Sequence, residues 1–260
     1  MEHILGKEWE ITPAGGATGE AYFAQYDNKK LFLKRNSSPF IAVLSAEGIV
    51  PKLVWTKRLE NGDVITAQLW LDGRELKSTD MKGEKIAKLL SKIHSSKELL
   101  DMLMRLGKAP LMPEELLFEM EKSHYFNQSS EQDQLIFDSL QVLRRTLDII
   151  ECQEYVVCHC DINHNNWLFS HEEQLYLIDW DGAMVADPAI DIGMLLYSYI
   201  PEPEWGDWLA HYGIDLSDNL ENRMKWYVIY QTLLSIQWFD EKQLLDQKHY
   251  AKRYLTTLIR

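Results

Sequence analysis

The sequence predicts an α+β chain: a small antiparallel sheet at the N-terminus, followed by a larger and mainly helical body. Three observations carry this. Apolar and polar residues alternate in short runs up to about residue 70, then recur at helical spacing from Thr79 onward. Turn-forming Gly, Asn and Asp separate the early runs. At 260 residues the chain exceeds the commonest single-domain size, so one large domain or two lobes sharing a cleft are expected; two lobes would divide as residues 1–72 and residues 73–260.

Residues 9–12 (WEIT), 20–26 (EAYFAQY) and 30–35 (KLFLKR) read as strands, joined by the run GGATG and then by Asp27-Asn28. Residues 39–47 (PFIAVLSAE) suit a short helix. Asn61-Gly62 then joins two more strands as a hairpin, because both residues tolerate the positive φ that such a turn needs. Beyond it, Met81, Ile86, Leu89, Leu90 and Ile93 share a helical face, with Ser78 or Thr79 as N-cap. A second helix is expected over residues 131–150, then the apolar strand YVVCHC, the polar loop DINHNN and short strands around WLF and LYLIDWD. Helices fill the remainder, where the spacing of Trp205, Trp208, Trp226, Tyr227, Tyr230 and Trp238 predicts core packing.

The net charge of −13 gives no basic footprint for nucleic acid and repels polyphosphates. A nucleotide site here therefore needs a divalent cation and a few local basic groups. The first residues contain neither a basic nor an apolar leader segment, and no stretch reaches the roughly eighteen apolar residues that span a bilayer. A cytoplasmic protein is expected, with no membrane or nucleic-acid partner. Cys152, Cys158 and Cys160 are odd in number and lack CxxC spacing, which predicts reduced, structural thiols.

Chemistry concentrates in His159-Cys160-Asp161-Ile162-Asn163-His164-Asn165-Asn166 and in Asp179 of LIDWD. Phosphoryl transfer to a hydroxyl needs one carboxylate to orient the nucleophile and take its proton, and oxygen ligands that hold Mg²⁺ across the phosphates. Asp161 suits the first role, and the Asn166/Asp179 pair the second. The same Asp, Asn and His residues also suit a plain polar loop between strands.

H-x-D-x-x-x-x-N followed by I-D-W resembles the aminoglycoside phosphotransferase and choline kinase superfamily, small-molecule relatives of the protein kinases. The resemblance implies a two-lobed protein-kinase-like fold, ATP and Mg²⁺ as cofactors, Asp161 as catalytic base and Asn166 and Asp179 as metal ligands. It also implies structural support from His159 and from Asp191, whose D-P-x-x-D-I-G segment would hold the catalytic loop by its backbone. For His159, an ordinary hydrogen-bonded core histidine is the plainer reading.

Upstream, Gly15, Gly16 and Gly19 can bring backbone N–H groups close to phosphates, although an ordinary hairpin turn explains them equally. Lys34, at the end of the apolar run LFLK, is similar to the phosphate-binding strand lysine of kinases. The family places a helix glutamate beside that lysine, and Glu47, just before the Val50-Pro51 turn, is the candidate here. Leu69 and Leu71 fit the interlobe hinge whose main chain would bind adenine. The helix ending IAKLLSKIHSS also follows the family's pattern.

Finer features, VPKLVWTKRL, AQLWLDG, HxDxxHxNW and IDWDxAxxxDPxxDIG, resemble a group of bacterial cell-cycle regulators within the superfamily. That implies a kinase for ribose or 2-deoxyribose, linked to replication initiation and to the division protein FtsZ. Asn163, His164 and Asp181 are the nearest hydroxyl-binding candidates for such an acceptor. Glu202, Glu204 and Asp207 would serve an aminoglycoside, or simply form a solvated helix start. An aromatic cage for choline, and a nucleotide-binding scaffold with little turnover, are the other readings.

Overall fold

The computed structural model describes residues 5–260 apart from 16–19, 124, 127, 129–132 and 153. Strands β1 (Glu10–Gly15), β2 (Ala21–Tyr26), β3 (Lys29–Arg35), β4 (Leu53–Arg58) and β5 (Val64–Leu69) form one antiparallel sheet in the order β1-β2-β3-β5-β4. Alternation sends Leu31 and Leu33 into a small core with Ala24, Ile65 and Ala67. Phe32 and Lys34 therefore stand on the opposite face of β3. The hairpin between β4 and β5 turns at Gly62, whose φ is 91°, and the Asn61 side chain accepts the Asp63 N–H at 3.2 Å.

Helix α1 (Phe40–Ala46) follows β3 in sequence but belongs to a different core. Phe40 and Leu44, with Ile49 and Val50 behind them, are buried in the large cluster of the C-terminal body. The Ile49 carbonyl also accepts the Leu177 N–H at 3.0 Å. A helix with only two deeply buried side chains takes its place from tertiary packing, not from its own propensity.

The C-terminal body contains two small sheets. Strand β6 (Gly73–Glu75) pairs with β8 (Trp167–Ser170), which pairs with β9 (Leu175–Leu177). Strand β7 (Val156–Cys158) pairs with β10 (Met184–Ala186). Around them lie α2 (Glu84–Ser95), α3 (Lys97–Arg105), α4 (Pro113–Lys122), α5 (Gln134–Thr146), α6 (Ala189–Tyr199), α7 (Trp205–Tyr212), α8 (Asp218–Glu241) and α9 (Leu245–Leu258). No described helix is long and apolar enough to cross a membrane.

Three expectations need correction. Residues 78–82 form a 3₁₀ turn in which Asp80 bonds back to the Lys77 N–H at 2.8 Å, and extended Gly83 delays the helix to Glu84, so neither Ser78 nor Thr79 caps it. The helix expected over residues 131–150 runs from Gln134 to Thr146, capped by Asp133, with residues 147–149 tightened into a 3₁₀ turn. Trp205, Trp208, Trp226, Tyr227 and Tyr230 are buried, but Trp238 is 51% exposed. It lies one turn beyond exposed Leu234, on the outer face of α8.

The centre of the body is the α6–α8 crossing. Helix α6 is buried on nearly every side, and its Gly193 lets the backbone of Met224 approach so closely that an added Cβ would lie 3.0 Å from the Met224 carbonyl oxygen. This close approach seats α6, which carries Asp191 in its N-terminal turn, against α8.

Candidate active site

The loop that carries Asp161 begins where β7 ends. Asp191 is fully buried and accepts the backbone N–H groups of His159 at 2.7 Å and Cys160 at 2.8 Å. Cys160 has φ 65°, a left-handed conformation costly for a non-glycine residue, and these two bonds hold it there. His94, near the end of α2, brings Nε2 within 3.2 Å of the same carboxylate, while its Nδ1 meets the Tyr212 hydroxyl at 2.7 Å. One carboxylate thus ties three helices to the turn that precedes Asp161.

His159 links the two halves of the motif. Its Nδ1 accepts the Asp161 N–H at 3.3 Å, and its Nε2 lies 2.8 Å from the Ile178 carbonyl, next to Asp179. An accepting Nδ1 and a donating Nε2 describe the neutral ring. The imidazole is fully buried and packs edge-on against Trp180, so the core-histidine and loop-support readings coincide.

The Asp161 side chain is solvent-facing and held at both oxygens. Asn163 Nδ2 donates to Oδ1 at 2.8 Å, and Asn166 Nδ2 donates to Oδ2 at 2.9 Å. The Asn166 amide also bonds the Asp161 carbonyl, at 2.9 Å, so its own carbonyl oxygen is the end left for a cation. The Ile178 N–H donates to the Asn166 backbone carbonyl at 2.8 Å, which sets Asn166 beside the strand end that carries Asp179.

Asp179 has φ 64° and begins the 3₁₀ turn Trp180–Gly182. Trp180 points inward, donating Nε1–H to the Leu177 carbonyl at 2.8 Å and packing against Phe40. With the tryptophan anchored, the flanking Asp179 and Asp181 face outward, and both meet Lys34 of β3. Lys34 Nζ lies 3.2 Å from Asp179 Oδ1 and 2.8 Å from Asp181 Oδ2. Burial alone would lower the pKa of this ammonium, but the Asp181 hydrogen bond and the two carboxylate charges outweigh it and hold the pKa above its ordinary value.

Other expected residues fall differently. Glu47 does not meet Lys34: α1 stops at Ala46, and Glu47 caps it and faces Lys92 of α2 at 3.9 Å. Lys92 also donates to the Glu47 carbonyl. The physical reason is that α1 is docked by Phe40 and Leu44 onto the C-terminal body. Asp181, expected near an acceptor, is committed to Lys34, and Asn163 spends its side chain on Asp161 and on the Asn165 N–H at 3.0 Å. His164 faces Tyr199 of α6, whose hydroxyl lies 3.2 Å from both its N–H and its Nδ1.

At the hinge, the Leu69 N–H is already given to the Lys52 carbonyl at 2.9 Å and is not free for a base. The Leu71 N–H has no intramolecular partner among the described residues. Gly15 ends β1 opposite Ala21, at an irregularity in the register, whereas Gly16 and Gly19 lie outside the described residues.

Sequence reading assigned no role to Tyr199, Tyr212 or Lys92. For Tyr199 a signal exists, since Asp191, Leu195 and Tyr199 repeat every fourth residue along one side of α6. Lys92 and Tyr212 have no local signal, because their partners are decided by how α1 and α7 dock.

An antiparallel sheet carrying one inward lysine over a helical body, with an Asp–Asn loop beside an Asp-bearing strand end, defines a phosphotransferase of kinase-like fold. The chain belongs to the Phosphotransferase enzyme family, which it matches over residues 10–227. Among solved structures it is similar to choline kinase LicA from Streptococcus pneumoniae, at 20% identity and a TM-score of 0.72, covering 99% of this chain and 95% of that one. It is also similar to the aminoglycoside phosphotransferase APH(4)-Ia, at 12% identity, TM-score 0.69 and coverage of 100% and 96%. A third is the spectinomycin phosphotransferase APH(9)-Ia, at 18% identity, TM-score 0.65 and coverage of 96% and 88%. At these identities the likeness is one of fold.

Proposed function

We propose that the chain transfers the γ-phosphoryl group of ATP to a hydroxyl of a small molecule, in a cleft between the lobes formed by residues 1–72 and 73–260. The observation that carries this reading is the cluster at one strand end. The Asp161 carboxylate is oriented by two amides, the side-chain oxygen of Asn166 has no partner among the described residues, and Asp179 is held outward beside the only lysine that reaches it among them.

In this reading Asp161 orients the acceptor hydroxyl and receives its proton. Asn163 and Asn166 keep that carboxylate in one rotamer, and His159 keeps its loop in register with Asp179. Lys34 contacts the nucleotide phosphates, and the free Leu71 N–H faces the base. The donor set, one amide oxygen and one carboxylate, suits a hard cation, and Mg²⁺ bound by Asn166 and Asp179 would neutralise phosphate charge in an otherwise acidic protein. Solved neighbours in complex with AMP or with ADP support an adenine nucleotide as donor.

For the acceptor, the sequence resemblance to the cell-cycle regulator CcrZ supports ribose or 2-deoxyribose, and by the same resemblance a cytoplasmic role in replication-initiation control with FtsZ as a partner. A second reading, an amine-bearing acceptor of the choline or aminoglycoside type, is supported by the likeness of fold to a choline kinase and to aminoglycoside phosphotransferases.

The test is ATP consumption coupled to pentoses, choline, aminoglycosides and nucleosides, on the wild type and two variants. Asp161→Asn is expected to abolish transfer while sparing Mg·ATP binding, and Asp179→Ala to weaken both. Full transfer by Asp161→Asn with every acceptor would show that another group is the base.

A further inference from the structure

Kinase-like phosphotransfer needs its strand lysine held by an anion, because a free ammonium on four methylenes samples many rotamers and meets phosphates poorly. A helix carboxylate is the expected holder, and here that position is spent elsewhere. Glu47 ends α1 and pairs with Lys92. Helix α1, which Glu47 ends, is fixed in place by buried Phe40 and Leu44 and by the Phe40–Trp180 contact.

The structure supplies a substitute from the other side of the cleft. We propose that Asp181 is the positioning residue for Lys34, taking the part for which the helix glutamate is absent. The inference rests on the reading that Lys34 contacts nucleotide phosphates.

Three features of the geometry support it. Asp181 Oδ2 makes the shorter of the two Lys34 contacts, 2.8 Å against 3.2 Å for Asp179. The geometry is built, not incidental: Trp180 is anchored by its indole N–H and by Phe40 and His159, so the residues on either side of it are presented outward together. The lysine is also the less exposed partner, its side chain 23% accessible against 62% for Asp181, so the ammonium sits under the carboxylates and not out in solvent. With two anions on one cation, Lys34 can exchange Asp179 for a phosphate oxygen and still keep Asp181. Asp179 is then released for the role proposed for it above.

The experiment measures ADP affinity by calorimetry without added metal, and steady-state KM and kcat with Mg·ATP, on the full chain. The variants are Lys34→Met, Asp181→Asn, Asp181→Glu, Glu47→Gln and the double variant Lys34→Met/Asp181→Asn. Because the pair is charge-assisted but half exposed, Asp181→Asn should weaken ADP binding about three- to tenfold. Asp181→Glu should restore part of it, and Glu47→Gln should stay within about twofold of wild type.

The decisive comparison is the cycle: in the Lys34→Met background, Asp181→Asn should add nothing. An additive loss there would overturn the proposal, since Asp181 would then act on something other than Lys34. So would a Glu47→Gln loss equal to that of Asp181→Asn, or an Asp181→Asn variant that binds ADP normally and only needs more Mg²⁺. If Lys34→Met itself left ADP affinity unchanged, the nucleotide-site reading would fall as well. A loss in Lys34→Met without one in Asp181→Asn would sink the Asp181 assignment alone. Thermal melting of each variant separates these outcomes from unfolding.

Discussion

Replacing Asp191 with asparagine keeps the side chain's shape and changes only what it offers. The carboxylate accepts from His159 N–H at 2.7 Å, from Cys160 N–H at 2.8 Å and faces His94 Nε2 at 3.2 Å, with no exposure to water. An amide has one oxygen, so its NH₂ end must confront a donor. One charge-assisted bond is lost, about 1.5–3 kcal/mol, and one buried N–H is left unsatisfied, about 1–3 kcal/mol. Part of this is returned because a buried carboxylate no longer has to be desolvated. A net loss of about 2–4 kcal/mol follows, which for a chain of this size lowers Tm by roughly 5–15 °C. Cys160 also loses the restraint on its left-handed backbone, φ 65°, so the loop ahead of Asp161 should relax. Misplacing a reacting group by about an ångström costs on the order of a hundredfold in rate, and at least a tenfold fall in turnover is expected. Scanning fluorimetry reads the first effect, hydrogen exchange at the His159 and Cys160 amides the second. A variant that melts within about 1 °C of wild type, with both amides still protected, would refute the reasoning.

Other perturbations follow from particular contacts. Arg223→Ala should destabilise by about 3–5 kcal/mol in denaturant titration, because Asp187, 1% exposed in its side chain, would keep its charge without its cation. Gly193→Ala should cost about 1–3 kcal/mol, since the new methyl meets the Met224 backbone at 3.0–3.1 Å; an unchanged midpoint would show that α6 and α8 can separate freely. Burial, reinforced by the Asp187 charge, pushes the Cys152 thiol up to about 11, and burial pushes Cys158 and Cys160 well above their ordinary value. Iodoacetamide at about pH 8 should therefore label the native protein far more slowly than the unfolded chain, as mass spectrometry would record. The folded state holds these thiol protons more tightly than the unfolded state, so stability should fall as pH rises above roughly 8.5. Lys92→Ala should change stability by no more than about 1 kcal/mol, its partnership with Glu47 being solvent-screened.

The sequence by itself carried the elements and the order of the chemistry. KLFLKR specified a strand ending in Lys34, Asn61-Gly62 specified a hairpin, and the motif spacing of Asp161, Asn166, Asp179 and Asp191 named a set of groups. These are local properties: side-chain period, turn conformations and short-range spacing depend on neighbours along the chain. What only the tertiary structure decided were the partners across the fold. Whether Lys34 meets Glu47 or Asp181 depends on where α1 docks, and that depends on Phe40 and Leu44 finding volume in the core of the C-terminal body. Trp238 looked like Trp226 by spacing, yet it is exposed because nothing in the described chain covers that face of α8. The Tyr212–His94–Asp191 chain joins α7, α2 and α6, which no local pattern relates. Hydrophobic burial is non-directional and sums over the whole interior, so it selects such pairings only once every element is packed.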